Sequence, residues 1–216
     1  RRVERNVLVN GGPFLIGVGG PSGSGKSLLA ARVAELLGRP PVTILPLDAY
    51  YRDLSRLTTE ERARHNFDDP DAIDWPLVEQ HLNLLRLSQP ILRPEYDFVT
   101  HTRLATHQTV APAQYMLFEG LYALYSSAVR GLLDLKVYVE ADDAVCLGRR
   151  LERDVRERGR TPESVIEQYR HSVAPMRERY VKPTRVYADV IVDGTRPIEE
   201  AVNHLAVAIR EKRFVV

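Results

Sequence analysis

The stretch Gly20-Pro21-Ser22-Gly23-Ser24-Gly25-Lys26-Ser27 constrains this chain more than any other. It fits G-x-x-x-x-G-K-[ST], follows the apolar run Phe14-Leu15-Ile16-Gly17-Val18, and precedes Leu28 to Leu37, a run of good helix formers with a continuous apolar face. That order predicts strand, loop and helix, the context in which the motif carries a mechanism. The glycines let the backbone curl so that successive N–H groups point inward, at a helix N-terminus whose dipole favours anions. Gly20, Ser22, Gly23, Ser24 and Gly25 are therefore expected to cradle phosphates. Lys26 is expected to reach the β- and γ-phosphates of a nucleoside triphosphate, and the Ser27 hydroxyl to ligate Mg2+.

Composition sets outer limits. The 216 residues suit one domain over 1–216 with a sizeable core. Thirty Lys and Arg against 29 Asp and Glu, a net charge of +1, create no broad field to draw nucleic acid or an acidic membrane, and neither partner is expected. A single cysteine, Cys146, excludes an intrachain disulfide framework and fits a reducing compartment. No apolar run approaches the roughly 20 residues of a membrane span. Arg1-Arg2-Val3-Glu4-Arg5 lacks the apolar core of a signal peptide, so a soluble cytoplasmic protein is expected.

Along the chain, Asn10-Gly11-Gly12-Pro13 reads as a turn into the first strand. The helix after the phosphate loop should stop at Gly38, with Pro40 and Pro41 beyond it. Val42 to Leu47 reads as a short strand that Pro46 ends early or keeps near an edge. Thr58-Thr59-Glu60-Glu61 resembles a capping box, and Asp74 with Pro76 marks a helix start for Leu77 to Leu87. Two β-prone segments, 91–100 and 106–110, can pair as a hairpin. Tyr115–Phe118, Lys136–Val139 and Val190–Val192 read as further strands. Helices are expected from the Asp142 cap to Arg158, from Thr161 through Tyr169, and from Thr195 to Arg210. Alternating strands and helices predict an α/β fold, a mostly parallel sheet covered on both faces, with a small hairpin insertion at about 91–110.

Three acids stand out. Asp48 follows the second strand, on the side where open α/β sheets bind ligands, and suits either proton abstraction from a hydroxyl or a water-mediated Mg2+ contact. Glu119 ends the strand Tyr115–Phe118 abruptly, as an acidic metal ligand in such folds does. Asp68, in an acidic loop, suits a sugar diol. Asp48 and Glu119 read equally as a helix cap or a solvated loop charge, and for Asp68 the pattern alone favours that plainer reading. Tyr96 and Phe98 share one strand face by period-two spacing, a shelf on which a planar base stacks with His101 at its edge. Ordinary core packing is the reading that this pattern alone favours. Arg149, Arg150, Arg153, Arg156, Arg158 and Arg160 crowd a segment without lysine, which suggests bidentate phosphate clamping. The i,i+4 pairs Glu152–Arg156 and Asp154–Arg158 also suit an exposed salt-bridged face. Cys146, His65, His81, His107, His171 and His204 show no metal-ligand spacing.

The ordered blocks taken together resemble the uridine/cytidine kinases, within the phosphoribulokinase/uridine kinase group of P-loop kinases. They are the phosphate loop, Asp48-Ala49-Tyr50-Tyr51, Asn66-Phe67-Asp68-Asp69-Pro70-Asp71-Ala72, Tyr96-Asp97-Phe98, His101-x-Arg103, Phe118-Glu119-Gly120, Arg149-Arg150-x-x-Arg153-Asp154 and Glu157-Arg158-Gly159-Arg160. The resemblance implies transfer of the ATP γ-phosphate to the 5′-hydroxyl of uridine and cytidine in pyrimidine salvage. Asp48 would be the base, and Ser27, Asp48 and Glu119 would organise Mg2+. Asp68 would bind the ribose with Arg153 and Gln168, and Tyr51, Tyr96, Phe98 and His101 would surround the base. Arg150, Arg158 and Arg160 would belong to a lid at about 149–165, and a homo-oligomer, commonly a tetramer, is implied. Ala49-Tyr50 and Pro21-Ser22 depart from the family pattern without removing a reacting group. Two alternatives stay open. One is a kinase of another small hydroxylated substrate, phosphoribulokinase-like or pantothenate-like, and the other is a non-catalytic nucleotide-binding regulator.

Overall fold

A computed structural model describes residues 12–38 and 42–214. The expectations for Arg1 to Arg5, for Asn10 and Gly11, and for Pro40 and Pro41 lie outside the described residues. The chain opens with β1 (Phe14–Gly19), the phosphate loop and α1 (Lys26–Leu37), then β2 (Val42–Pro46), which ends at its proline in a 3-10 turn, Leu47–Tyr50. The short α2 (Thr59–Ala63) and α3 (Trp75–Arg86) precede a hairpin of β3 (Ile91–Asp97) and β4 (Thr102–Val110). Then come β5 (Tyr115–Glu119), α4 (Ser127–Leu132), β6 (Leu135–Glu140), α5 (Asp143–Arg158), α6 (Pro162–Gln168), α7 (Ala174–Met176), β7 (Val190–Asp193) and α8 (Ile198–Phe214).

Five strands form one parallel sheet in the order β2-β5-β1-β6-β7. β1 lies at the centre, and five of its six residues are buried, as a strand covered on both faces requires. β2 takes one edge and ends at Pro46, a position where a strand tolerates the missing N–H. One face carries α1 and α8, whose Leu29, Val33, Leu205 and Ile209 meet Ile16, Val18, Leu117 and Val137. The other carries α3 and α4, with Val78, Leu82, Leu85 and Val129 over Leu15, Met116 and Phe118.

Local chemistry fixes the boundaries. Thr58 and Glu61 form a reciprocal capping box, Asp74 caps α3 through the Leu77 N–H, and Thr161 caps α6 through the Ser164 N–H. Asp142 stands at the N-cap of α5 without a side-chain cap bond. The hairpin strands differ from their predicted extents. The first ends at Asp97 and the second starts at Thr102, so Phe98 to His101 form the turn, and His101 sits there at φ 57°. Asp97 causes this by taking the Val99 N–H and the Thr100 hydroxyl, a local turn that competes with strand pairing.

Two elements were not foreseen. α4 is short, and after α6 the chain stays helical through π turns at Tyr169–Val173 and Arg177–Val181 and a 3-10 stretch at Lys182–Tyr187. Pro175 falls between the two π turns and Pro183 near the start of the tighter 3-10 stretch, and the buried residues Tyr169, Val173, Arg177 and Val181 recur every fourth position. The C-terminal helix begins at Ile198 rather than Thr195 because Asp193 first forms a turn on the Thr195 N–H and hydroxyl.

The turn after β7 touches the phosphate loop. A Cβ on Gly194 would lie 2.1 Å from the Ser24 carbonyl oxygen, a backbone atom with nowhere to go. Gly194→Ala is therefore expected to weaken Mg·ATP binding and lower the melting temperature together. Gly148→Ala, in open space on exposed α5, should instead add about 0.5–1 kcal/mol by helix propensity. Calorimetric titration and thermal melts read both.

Candidate active site

Parallel pairing fixes what meets at the strand ends. Val18 and Pro46 both register with Glu119, so the C-terminal ends of β1, β2 and β5 lie side by side. The phosphate loop leaves β1, Asp48 leaves β2 and Glu119 ends β5, and the three converge around the first turn of α1. Gly23 sits at φ 83°, and a Cβ there would meet the Cys146 carbonyl oxygen at 2.5 Å, so only glycine lets the loop close against α5.

Lys26 is buried at 8% exposure, and its ammonium donates to the Pro21 carbonyl at 2.7 Å, bent back over the loop. Burial lowers its pKa while Glu119 and Asp48 raise it. Both carboxyls are shifted up, mainly by desolvation and against the pull of Lys26. Asp48 remains open to the cleft although protein crowds its other sides, so it is accessible yet poorly hydrated. Ser27 Oγ donates to Glu119 Oε2 at 3.1 Å. No group of three or more His, Cys, Asp or Glu side chains suited to a metal occurs among the described residues.

Opposite the loop, Tyr51, Tyr96 and Phe98 form one aromatic cluster with ring centroids 5.2–6.2 Å apart. Phe67, which the sequence reading did not single out, completes it with a centroid 5.9 Å from Tyr51 and a stack on His101 at 4.2 Å. The cluster is not core. Phe98 is 46% exposed, and the buried Tyr96 hydroxyl and His101 Nδ1 have no hydrogen-bond partner. Burial raises the Tyr96 pKa to about 12 and lowers that of His101, which keeps both groups neutral near pH 7. Arg103 ties this shelf down, with Nε on the Tyr51 carbonyl at 2.9 Å and Nη2 on Asp74 at 3.0 Å. A cleft of about 310 Å³ lined by Asp48, Tyr96, Phe98 and Arg158 joins the shelf to the strand ends.

Asp68 is buried at 8% exposure and held on both sides. Tyr122 donates its hydroxyl to the Asp68 carbonyl, and Ser172 donates to its Oδ2 at 2.8 Å. Gln168 lies instead between arginines, accepting from Arg150 at 3.1 Å and from Arg160. Arg150 also reaches Ser22 Oγ at 3.3 Å, so α5 and the phosphate loop are joined at a side chain. Arg149 braces the loop from behind, donating to the carbonyls of Gly23 and Gly194 at 3.3 and 2.9 Å. Glu152–Arg156 is the exposed i,i+4 pair expected, whereas the Asp154 side chain is fully buried. Ser172 gave no motif signal. Phe67 lay inside the acidic block and was legible only as its neighbour.

A second cleft, about 320 Å³, opens between Ser24–Gly25, Leu28, Arg149 and the Val192–Gly194 turn. It lies on the far side of the loop from the aromatic shelf, and no helix among the described residues is long and apolar enough to cross a membrane.

The chain is similar to known proteins in sequence and in fold. The sequence model of the Phosphoribulokinase / Uridine kinase family matches residues 15–199. A protein named uridine kinase from Deinococcus deserti is 48% identical, with 92% of this chain and 96% of that protein covered. A uridine kinase from Lactobacillus helveticus is 41% identical over 92% of this chain and 94% of its own length. In structure, D-glycerate 3-kinase from Cryptococcus neoformans var. grubii aligns with a TM-score of 0.63 at 18% identity, covering 86% of this chain and 88% of that one, a likeness of fold alone.

The raised Asp48 pKa has a consequence for stability. An acid with a higher pKa in the folded state contributes least above that pKa, and stability falls as pH rises through it. Asp48→Asn is thus expected to raise the melting temperature at pH 7.5. The gain should shrink toward pH 3.5, where the native carboxyl is protonated too. A lower melting temperature at pH 7.5 would mean that attraction to Lys26 outweighs desolvation.

Proposed function

The chain belongs to the phosphoribulokinase/uridine kinase family and is a phosphotransferase, and from that premise we propose that it transfers the γ-phosphoryl group of ATP to the 5′-hydroxyl of uridine and cytidine, yielding the monophosphates used in pyrimidine salvage. The observation that carries the reading is the cleft that sets Asp48, whose charge interacts with Lys26 of the phosphate loop, beside an aromatic shelf with two unpartnered polar atoms. A planar base stacks among Tyr51, Tyr96 and Phe98, and His101 meets its edge. The neutral imidazole donates at one nitrogen and accepts at the other, so it suits the C4 oxygen of uracil and the C4 amine of cytosine.

The ribose lies toward Asp68, which Ser172 and Tyr122 hold in place, while Gln168 is held by Arg150 and Arg160 and Arg153 by Asp154. Its 5′-hydroxyl then faces Asp48, whose raised pKa makes it a better proton acceptor than an ordinary aspartate. Gly20, Ser22, Gly23, Ser24 and Gly25 cradle the triphosphate, Lys26 neutralises the charge that develops on the transferring group, and the donor base fills the cleft near the Gly194 turn. The segment 149–165 acts as a lid that brings Arg150, Arg158 and Arg160 over the phosphates and excludes water.

Mg2+ fits this donor set, because a hard cation that keeps its waters and leans on phosphate oxygens needs only one or two protein carboxylates. Ser27, Glu119 and Asp48 would hold it, and it supplies neutralisation of charge on the β- and γ-phosphates. The hairpin at 91–110 serves the acceptor side. Assembly as a homotetramer and a cytoplasmic setting complete the proposal; the buried thiol of Cys146 suits that reducing compartment.

A coupled ADP-release assay tests the assignment. Uridine and cytidine are both expected to turn over, and Asp48→Asn should retain Mg·ATP binding while kcat falls about 10²–10⁴-fold. Turnover of only one nucleoside would contradict the role given to His101. Preferred turnover of a sugar phosphate or a pantothenate-like alcohol would overturn the acceptor, and a near-normal rate in Asp48→Asn would remove Asp48 as the base.

A further inference from the structure

Asp154 has no solvent exposure, and none of the roles above uses it. Four guanidinium groups converge on its carboxylate. Arg153 meets Oδ1 through Nε at 2.9 Å and Nη2 at 2.8 Å, and Arg158 through Nε at 3.6 Å. Arg150 approaches Oδ2 through Nε at 3.5 Å, and Arg160 through Nη1 at 3.9 Å. A carboxylate removed from water is stable only when paired, and four crowded cations need an anion among them.

The edge that each arginine presents carries the argument. Arg150, Arg153 and Arg158 all turn Nε toward Asp154. The terminal nitrogens of Arg150 are thereby left to reach Ser22 of the phosphate loop and Gln168. Arg158, gripped at its inner edge, passes by the Phe98 ring and lines the cleft beside Asp48. A guanidinium holds five donors in a rigid plane, so fixing one edge aims the other. Asp154 Oδ2 and Arg150 Nε are both buried without a hydrogen bond, so charge alone holds that contact.

We propose that Asp154 is a positioning residue for phosphoryl transfer, a single buried carboxylate that grips the lid arginines so that their outer N–H groups face the triphosphate. The assignment rests on the kinase reading above and adds to it the group that orders the lid. Arginines at such a site act by geometry as well as charge, and a guanidinium aimed a fraction of an ångström away loses its bidentate fit.

Steady-state kinetics of Asp154→Asn, with thermal melting of the same samples, test this. kcat is expected to fall about 30–300-fold per folded molecule. Arg158→Gln, which slows the unaltered chain by itself, should then cost less than about threefold more in the Asp154→Asn background, because Arg158 has already lost its aim. A kcat within threefold of the unaltered chain, or penalties that multiply, would overturn the proposal. Asp154→Asn leaves four cations uncompensated and can cost the fold, so Arg158→Lys provides a second arm. That exposed side chain keeps its charge and loses its Nε edge, and kcat should fall about tenfold at an unchanged melting temperature; an undiminished kcat would overturn the proposal as well. Every rate is a ratio to the unaltered chain on whichever acceptor it turns over. A different preferred acceptor therefore contradicts the pyrimidine reading without bearing on Asp154.

Discussion

Everything at this site depends on one buried ammonium between two poorly hydrated carboxylates. Desolvation opposes charge on Lys26, Asp48 and Glu119 alike; the ammonium counters it at both carboxylates and they counter it at the ammonium, while Asp48 pushes Glu119 further up. The arrangement follows from the sheet. β1, β2 and β5 pair in parallel and in register, so a loop, a 3-10 turn and a strand end arrive at one edge with their charges adjacent. A one-residue slip of β5 would turn Glu119 to the other face and leave Lys26 without its strongest partner. The apolar alternation of the core therefore sets the electrostatics of the chemistry.

The acceptor side is built by a different device. A two-stranded hairpin has little stability of its own, and Arg103 pins it to the Tyr50–Tyr51 segment that follows Asp48. The base shelf and the proposed base catalyst are thus parts of one rigid connection. The aromatic rings keep an exposed face and unpartnered polar atoms, features that a packed core does not tolerate without a ligand to satisfy them.

Much of this was legible in the residues. The five strands, the edge position of the Pro46 strand and the capped starts of α2, α3 and α6 rest on local signals that tertiary packing did not override. What stayed hidden was non-local. The chain stays helical past Pro175 between two π turns, and nothing in the composition announces a π turn. Ser172 reaches Asp68 across 104 positions of sequence, and no spacing rule spans that distance. The arginine segment misled in an instructive way: the i,i+4 pairing of Asp154 with Arg158 suited an exposed face, whereas the fold buries the carboxylate and turns four cations onto it. A net charge of +1 concealed that separation, because balance over a whole chain says nothing about where charges gather.

The central claim is that two half-sites, one for a triphosphate and one for a nucleoside, form a single continuous site across Lys26 and Asp48. A ligand joining adenosine and uridine 5′-to-5′ through four phosphates spans both halves at once, and calorimetric titration with it is the most direct measurement. The account predicts one ligand per chain, an affinity at least about a hundredfold above that of ATP, and exclusion of ATP and uridine alike. A ligand that binds no tighter than ATP and still admits uridine would contradict it.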